Sequence, residues 1–343
     1  RAAPLAAARA PGAVPHPAAP TAVLPPPGSA SSGLGRIRQL TFDGCCAGAW
    51  WAPDGSAVHF IDRPGGQIGI YGVAIWPPGA LPQMIDAEVT VRASGARYLI
   101  RPAGDASIVT DVASGAEWPL PTGGAPARLS PDGSRVVWWD APGGRAEVDS
   151  LNRIHASDIA GQAVREIGGL WGANVVGFLA NGVEVLVVGR PLRDSAMDVL
   201  AALDTDTGAV REIARGTWVT DVVLAPGGAW VAYMVSLDSA APEANGIWVA
   251  PTGAGAGPPR RLDRVGAYRW RDPVHLLMVP LEPGAPAHSV WQIDAATGDA
   301  ARIVDPAEIE IRIANNDWSV SPDGRRLAFV SEADRNVWLV ELP

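Results

Sequence analysis

A turn motif that returns along most of the chain constrains the fold more than any other feature. Near copies of Ser-Pro-Asp-Gly occupy residues 52–55, 130–133 and 321–324. Weaker versions occupy residues 92–95, 179–182, 225–228 and 271–273. Proline presets φ, aspartate hydrogen-bonds the local backbone and glycine accepts positive φ, so each copy predicts a tight turn. An apolar run rich in β-branched and aromatic residues follows each turn, which predicts seven β-hairpins.

A second series of turns has the same period. Asp-x-x-x-Gly segments at 111–115, 204–208 and 294–298 separate further apolar runs from short segments that end in arginine and aliphatic residues. One unit therefore contains four strands and about 44 residues, the length of a four-stranded propeller blade. The 39 glycines and 32 prolines also disfavour long helices.

The two ends of the repeat region complement each other. The last unit stops after three strands, and residues 35–41 form an orphan fourth strand. Pairing of this N-terminal strand 35–41 with the C-terminal strand would remove an exposed sheet edge. The sequence therefore predicts an all-β fold, a seven-bladed β-propeller of four-stranded blades over residues 36–343, closed by that pairing.

Residues 1–35 have a different composition. They are rich in proline and alanine, and Pro25, Pro26 and Pro27 favour a polyproline conformation. Such a segment buries too little apolar area to offset its ordering entropy, so we expect an extended N-terminal tail. Because the chain begins at Arg1, we also expect a segment upstream of it.

The repeat resembles that of the TolB-type β-propellers, a WD-repeat-like blade with Ser-Pro-Asp-Gly after its first strand. The resemblance covers nearly all of residues 36–343 and is most specific at the three Ser-Pro-Asp-Gly copies. It implies a β-propeller, usually outside the cytoplasm, in which the repeat is structural. The same blade occurs in non-catalytic scaffolds and in the propeller halves of some serine peptidases, so it implies a shape rather than an activity.

Composition and motifs exclude several classes of function. The chain has a net charge of −9 and no lysine, which disfavours binding to nucleic acid through charge. No apolar run reaches the length of a membrane span. There is no Gly-x-Ser-x-Gly elbow or phosphate-binding loop. Asp204-x-Asp206-x-Gly208 resembles the start of a calcium loop but lacks the later ligands. We predict no catalytic residue, metal or cofactor.

One group of residues has the composition of a protein interface. Tryptophan and arginine are enriched at the centres of interfaces, and here they lie in or beside long loops. The candidate interface residues are Trp171, Trp218, Arg190, Arg193 and Arg271, with the loop 237–245 and with Pro25, Pro26 and Pro27 of the tail.

The sequence favours a non-catalytic protein-binding scaffold. We expect an extrinsic subunit of a larger assembly, in which the tail and one propeller face contact protein partners, possible subunits of a membrane complex. The expected location is extracytoplasmic, periplasmic or membrane-peripheral, in a bacterium. Two alternatives stay open: an enzyme of the lyase or glycosidase type with a funnel-shaped axial site, and a propeller that senses sugar or peptidoglycan through exposed tryptophans.

Overall fold

The computed structural model describes residues 37–42, 44, 46–86, 93–94, 97–140 and 149–343. Within these ranges the chain is all-β apart from two three-residue 3-10 helices, Pro64–Gly66 and Pro242–Ala244. None of the described segments is a helix with the length and apolar character needed to cross a bilayer. The predicted tail, residues 1–35, lies outside the described residues.

The strands of the described residues form six antiparallel sheets, five of which have four strands each. One four-stranded sheet contains β2 (Ala47–Trp51), β3 (Ala57–Asp62), β4 (Gly69–Ala74) and β5 (Gln83–Asp86). A second contains β6 (Ala93–Ser94), β7 (Tyr98–Ala103), β8 (Ala106–Asp111) and β9 (Glu117–Leu120). A third contains β17 (Val219–Leu224), β18 (Trp230–Val235), β19 (Gly246–Pro251) and β20 (Arg260–Arg261). The other two are β21 (Gly266–Trp270), β22 (His275–Pro280), β23 (Val290–Asp294) and β24 (Ala300–Val304); and β1 (Ile37–Gln39), β27 (Val337–Glu341), β26 (Arg326–Ser331) and β25 (Ile313–Val320).

The sixth sheet has seven strands in chain order. They are β10 (Ala127–Leu129), β11 (Arg135–Trp139), β12 (Leu151–Asp158), β13 (Arg165–Phe178), β14 (Glu184–Arg190), β15 (Asp198–Asp204) and β16 (Val210–Gly216). The prediction of a closed seven-bladed propeller with separate four-stranded blades is therefore wrong. The fold is propeller-like, with five four-stranded sheets and one larger sheet.

The long strand β13 is the physical reason for this difference. Its first half pairs with β12 and its second half pairs with β14, so one strand serves two predicted blades. No proline or Asp-Gly turn interrupts the chain between these halves. Instead the register shifts near Trp171 and again near Val175, and Gly172 has φ of 64°. Such bulges bend a strand without ending its pairing, so the two units share one sheet.

Both predicted turn series are present at the described positions, except that Ala93 and Ser94 of the weak copy 92–95 form strand β6 and residues 92 and 95 lie outside the described residues. Gly133 N donates to Ser130 O at 2.9 Å, and Gly133 has φ of 71°. In the second series Gly208 N donates to Asp204 O at 2.9 Å. Because these hydrogen bonds close within three or four residues, the local sequence is sufficient to specify them.

The N-terminal strand β1 pairs antiparallel with β27, with Ile37 opposite Val340. The described part of segment 35–41 therefore lies in the same sheet as the C-terminal strand, as the sequence predicted for these two segments. This pairing joins the ends of the chain in one sheet, although the sheets do not form the seven equal blades that it was expected to close.

Apolar side chains fill the space between neighbouring sheets. Ile247 and Val249 of β19 belong to the same buried cluster as Trp270 and Leu276 of the next sheet. First strands of successive sheets lie side by side, and Trp270 Nε1 donates to Val223 O at 3.0 Å. Burial of these faces against each other supplies the main stabilisation of a propeller-like fold.

Antiparallel pairing places the connections on two opposite faces. One face carries the connections between second and third strands and the connections between successive sheets or units. We call it the loop face. The turn face carries the tight turns that follow each first strand, such as 130–133, and the turns between third and fourth strands, such as 204–208.

Candidate interface on the loop face

Three predicted interface residues meet at the loop face. Trp171 of β13 is opposite Arg190 of β14 in the strand register. The guanidinium of Arg193 lies 5.6 Å from the centre of the Trp171 ring. Arg190 Nη1 donates to Arg193 O at 2.8 Å, and its Nη2 lies 3.1 Å from Asp149 Oδ1. The ion pair and the cation–π contact hold these side chains in place, as interface anchors require.

Trp218 and Leu237 form a second feature of the loop face. Their backbones are adjacent because Val219 pairs with Val235 and Ser236 N donates to Thr217 O. The Trp218 side chain is 55% exposed and that of Leu237 is 73% exposed. Both residues have left-handed backbone conformations, with φ of 48° and 61°. Bulky residues rarely adopt this region, so the fold holds two apolar side chains in solvent at a cost in backbone strain.

The loop 237–245 is held by hydrogen bonds. Asp238 Oδ1 accepts from the backbone N–H groups of Ala240 and Ala241, and its Oδ2 accepts from Thr217 Oγ1 at 3.0 Å. These donors, the Ala241 N–H foremost, hold the pKa of the Asp238 carboxyl below its usual range. Asn245 also exchanges two hydrogen bonds with the backbone of Asp238. The loop is therefore pre-ordered, which reduces the entropy that a partner would have to remove on binding.

Sequence analysis did not single out several other apolar residues that are exposed on this face. They are Leu151, Leu192, Met197, Val265 and Leu281. Leu281 and Val265 are joined by a backbone hydrogen bond of 2.9 Å, between Leu281 N and Val265 O. The sequence did contain a signal for them, because these apolar residues lie within long connections that are otherwise polar. Exposed apolar residues are a feature of interaction surfaces, but Leu81, Val112 and Val210 are comparably exposed on the turn face, so their number alone does not distinguish the loop face.

The structure separates Arg271 from this group. Arg271 follows β21 on the turn face, where its Nε donates to Gly324 O at 2.9 Å and its Nη2 to Pro343 O at 2.6 Å. Trp218, by contrast, precedes the first residue of the neighbouring strand β17. First strands span the molecule from one face to the other, so Arg271 and Trp218 lie at opposite faces. Pro25, Pro26 and Pro27 lie outside the described residues.

The calcium-like segment is a structural turn. Asp204 Oδ1 accepts from the backbone N–H groups of Asp206 and Thr207. Asp206 Oδ1 lies 2.7 Å from both Arg135 Nη1 and Arg165 Nη2. Among the residues that the structure describes, no three His, Cys, Asp or Glu side chains are grouped so that they could hold a metal ion.

Replacing Trp218 with glycine tests the backbone strain. We expect Trp218→Gly to leave the free energy of unfolding unchanged or to raise it by about 1 kcal/mol, because glycine adopts positive φ without the penalty that other residues incur. Urea denaturation of the two proteins measures this difference. A loss of more than about 1 kcal/mol would mean that the indole stabilises the monomer and is not kept for a partner.

Comparisons with known proteins identify the fold but not a family. No family model matches the chain, and no curated protein matches it. A solved oligogalacturonate lyase in complex with manganese is similar with a TM-score of 0.61 and 13% identity, over 90% of this chain and 93% of that one. The oligogalacturonate lyase of Vibrio parahaemolyticus has a TM-score of 0.58 and 11% identity, over the same shares.

Two further structures bear on the resemblance inferred from the repeat. Hydrazine synthase of Kuenenia stuttgartiensis is similar with a TM-score of 0.52 and 16% identity, over 85% of this chain and 94% of that one. A putative TolB from Agrobacterium tumefaciens has a TM-score of 0.44 and 15% identity, over 77% and 94%, which is too distant to add to the argument. At these identities the similarities show the fold alone. The chain has a β-propeller-like fold.

Proposed function

We propose that the protein is a non-catalytic scaffold that binds a protein partner through its loop face. The observation that carries this proposal is the pair Trp218 and Leu237, two exposed apolar side chains held by left-handed backbone. Strained conformations persist where they serve a function, and tryptophan is the residue most enriched among interface hot spots. The ordered loop 237–245 and the fixed Trp171–Arg193 contact support the same face.

The proposed setting is an assembly outside the cytoplasm. We infer an extrinsic subunit of a larger complex, with the proline-rich tail as a second contact to the partner. The resemblance of the repeat to TolB-type propellers supports this setting, and the exposed apolar side chains of the loop face suit a subunit of a complex. An assembly subunit needs a surface that is apolar and preformed, and Trp218, Leu237 and Trp171 provide it.

Substitution on the loop face tests the proposal. The full-length protein is purified under mild conditions from its native source, and the proteins that co-elute with it in stoichiometric amount are identified. The double variant Trp218→Ser/Leu237→Ser is expected to weaken binding of that partner by about thirtyfold or more, the effect of losing about 2 kcal/mol at a hot spot. Affinity is measured by surface plasmon resonance with the purified partner.

Trp76 provides a matched control. It is 76% exposed and lies in the connection between β4 and β5 on the turn face. Trp76→Ser removes an indole that is more exposed than that of Trp218 and is expected to leave the affinity unchanged. The proposal fails if the protein from its native source elutes alone as a monomer. It also fails if Trp76→Ser weakens binding as much as the double variant does.

A further inference from the structure

A cavity of about 410 Å³ lies between the first strands of three successive sheets, β17, β21 and β25. Val223, Leu224 and Val320 supply apolar wall, and Arg269 and Ser319 are the polar residues of the lining. The cavity is open to solvent, and an apolar wall with few polar groups is a feature of small-molecule sites. It is separate from Trp218 and Leu237 and therefore independent of the proposed function.

The Arg269 guanidinium is held in place by contacts that leave one of its N–H edges without a hydrogen bond. Its Nη1 donates to Tyr268 O at 2.7 Å, and its guanidinium carbon lies 5.2 Å from the centre of the Trp318 ring. Within the described part of the chain, Nε and Nη2 have no hydrogen-bond partner and no carboxylate within 4.0 Å. These two N–H groups form the edge of a guanidinium that binds a carboxylate through two parallel hydrogen bonds.

Two carboxylates determine which anion suits this site. Burial lowers the pKa of Arg269, while the negative charges of Asp221 and Asp317 act in the opposite direction and keep the guanidinium charged. The same two charges repel a second negative charge on a ligand. The two carboxylates outnumber the single guanidinium and oppose any anion, but they oppose a dianion such as phosphate more strongly than a monoanion.

Ser319 gives an independent indication of a ligand. Its Oγ is buried and has no hydrogen-bond partner among the described residues, although the residue forms part of the cavity wall. A buried hydroxyl without a partner is unfavourable and uncommon in folded proteins. The hydroxyl is not accessible in its present rotamer, so a ligand oxygen atom would accept its hydrogen bond only after the Ser319 side chain changes rotamer.

We propose that this cavity binds a small monocarboxylate with an apolar body. The carboxylate accepts two hydrogen bonds from Nε and Nη2 of Arg269. The body of the ligand lies against Val223, Leu224 and Val320.

Matched ligands test the chemical class. Isothermal titration calorimetry of the full-length protein at pH 7.5 is carried out with 4-methylpentanoate, with 4-methylpentan-1-ol and with inorganic phosphate. We expect the acid to bind with a millimolar or lower Kd, the alcohol to bind at least tenfold more weakly, and phosphate not to bind. Absence of binding by the acid at 10 mM, equal affinity for the alcohol, or tighter binding of phosphate would each overturn the proposal.

Substitutions of arginine test whether Arg269 binds the carboxylate. Arg269→Gln is expected to weaken binding of 4-methylpentanoate at least tenfold. Arg128→Gln is the matched control, because Arg128 is also a half-buried arginine of a first strand, 5.6 Å from the Trp139 ring. Arg128 Nε already donates to Val176 O at 3.2 Å, so its carboxylate-binding edge is occupied, and we expect binding as in the wild type. Equal effects of the two substitutions would overturn the assignment.

A second variant covers the case in which Arg269→Gln does not fold. Arg269→Lys keeps the charge but not the paired N–H groups, and we expect it to bind the acid several-fold more weakly than the wild type. Undiminished affinity in this variant, with an unchanged melting temperature, would show that paired hydrogen bonds do not hold the ligand.

Discussion

Gly228→Ala is expected to lower the free energy of unfolding by about 3–5 kcal/mol. Gly228 has φ of 72° in the turn between β17 and β18, a conformation that costs alanine about 1–2 kcal/mol. A Cβ atom there would lie 2.8 Å from Ala180 N and from the carbonyl carbon of Leu179. Both contacts are backbone atoms of the preceding sheet, which cannot rotate away as a flexible side chain can. Urea denaturation at 25 °C measures the loss.

Gly227→Ala is the control for the backbone effect alone. Gly227 is the adjacent residue of the same turn and has φ of 79°, but nothing lies within 4 Å of a Cβ built on it. We expect this variant to lose only about 1–2 kcal/mol. The difference between the two variants measures how closely the turn packs against the seven-stranded sheet. Equal losses would show that the two sheets do not make this contact in solution.

The parts of the fold that the sequence predicted are those with local causes. The turn at 130–133 closes through a hydrogen bond between residues three apart, and the glycine in it supplies the positive φ. The turn at 204–208 closes in the same way over four residues. Proline, aspartate and glycine determine these geometries whatever the rest of the chain does, so the repeat could be recognised without any tertiary information.

The sequence could not predict that β13 continues through the boundary between two predicted units. Gly168, Gly169 and Gly172 suggest an interruption, yet β12 on one side and β14 on the other both remain paired with this strand. Whether a glycine-rich segment ends a strand or forms a bulge depends on its neighbours in space. The number and size of the sheets are consequently tertiary properties.

Candidate functional residues also divide into those that the local sequence identifies and those that only the tertiary structure brings together. Composition identified Trp171, Arg190 and Arg193, which lie close together in sequence and meet in the structure. Asp221, Arg269 and Asp317 lie far apart in the sequence and were not predicted to meet. When the repeats are aligned on their turns, Asp221 and Asp317 each lie four residues before the turn, whereas Arg269 lies only two residues before Arg271, so the alignment would have paired the two aspartates alone. A polar residue that recurs at one position of successive repeats is a candidate for a shared site.

Asn336→Ala is expected to lower the free energy of unfolding by about 2–3 kcal/mol. This side chain is 4% exposed and joins the N-terminal segment to the sheet that contains β27. Its Oδ1 accepts from Thr41 Oγ1 at 3.2 Å and from Gly44 N at 3.0 Å. Thr41 Oγ1 in turn accepts from Val337 N at 2.9 Å. Alanine would leave the Gly44 N–H without an acceptor and the Thr41 hydroxyl with only the weak acceptor Cys46 Sγ at 3.4 Å, in a place that water does not readily reach.

Two comparisons separate this effect from the ordinary loss of a turn asparagine. Asn181 Oδ1 also accepts from two backbone N–H groups, those of Val183 and Glu184, but Asn181 is exposed. Water can replace its hydrogen bonds, so we expect Asn181→Ala to lose about 1 kcal/mol or less. Asn336→Asp keeps an acceptor oxygen and should lose less than Asn336→Ala. If Asn336→Ala and Asn181→Ala lose the same amount, Asn336 does not hold the N-terminal segment in place. The pairing of β1 with β27 would then depend on the strand ladder alone, because the buried hydrogen bonds beside it would contribute no more than exposed ones.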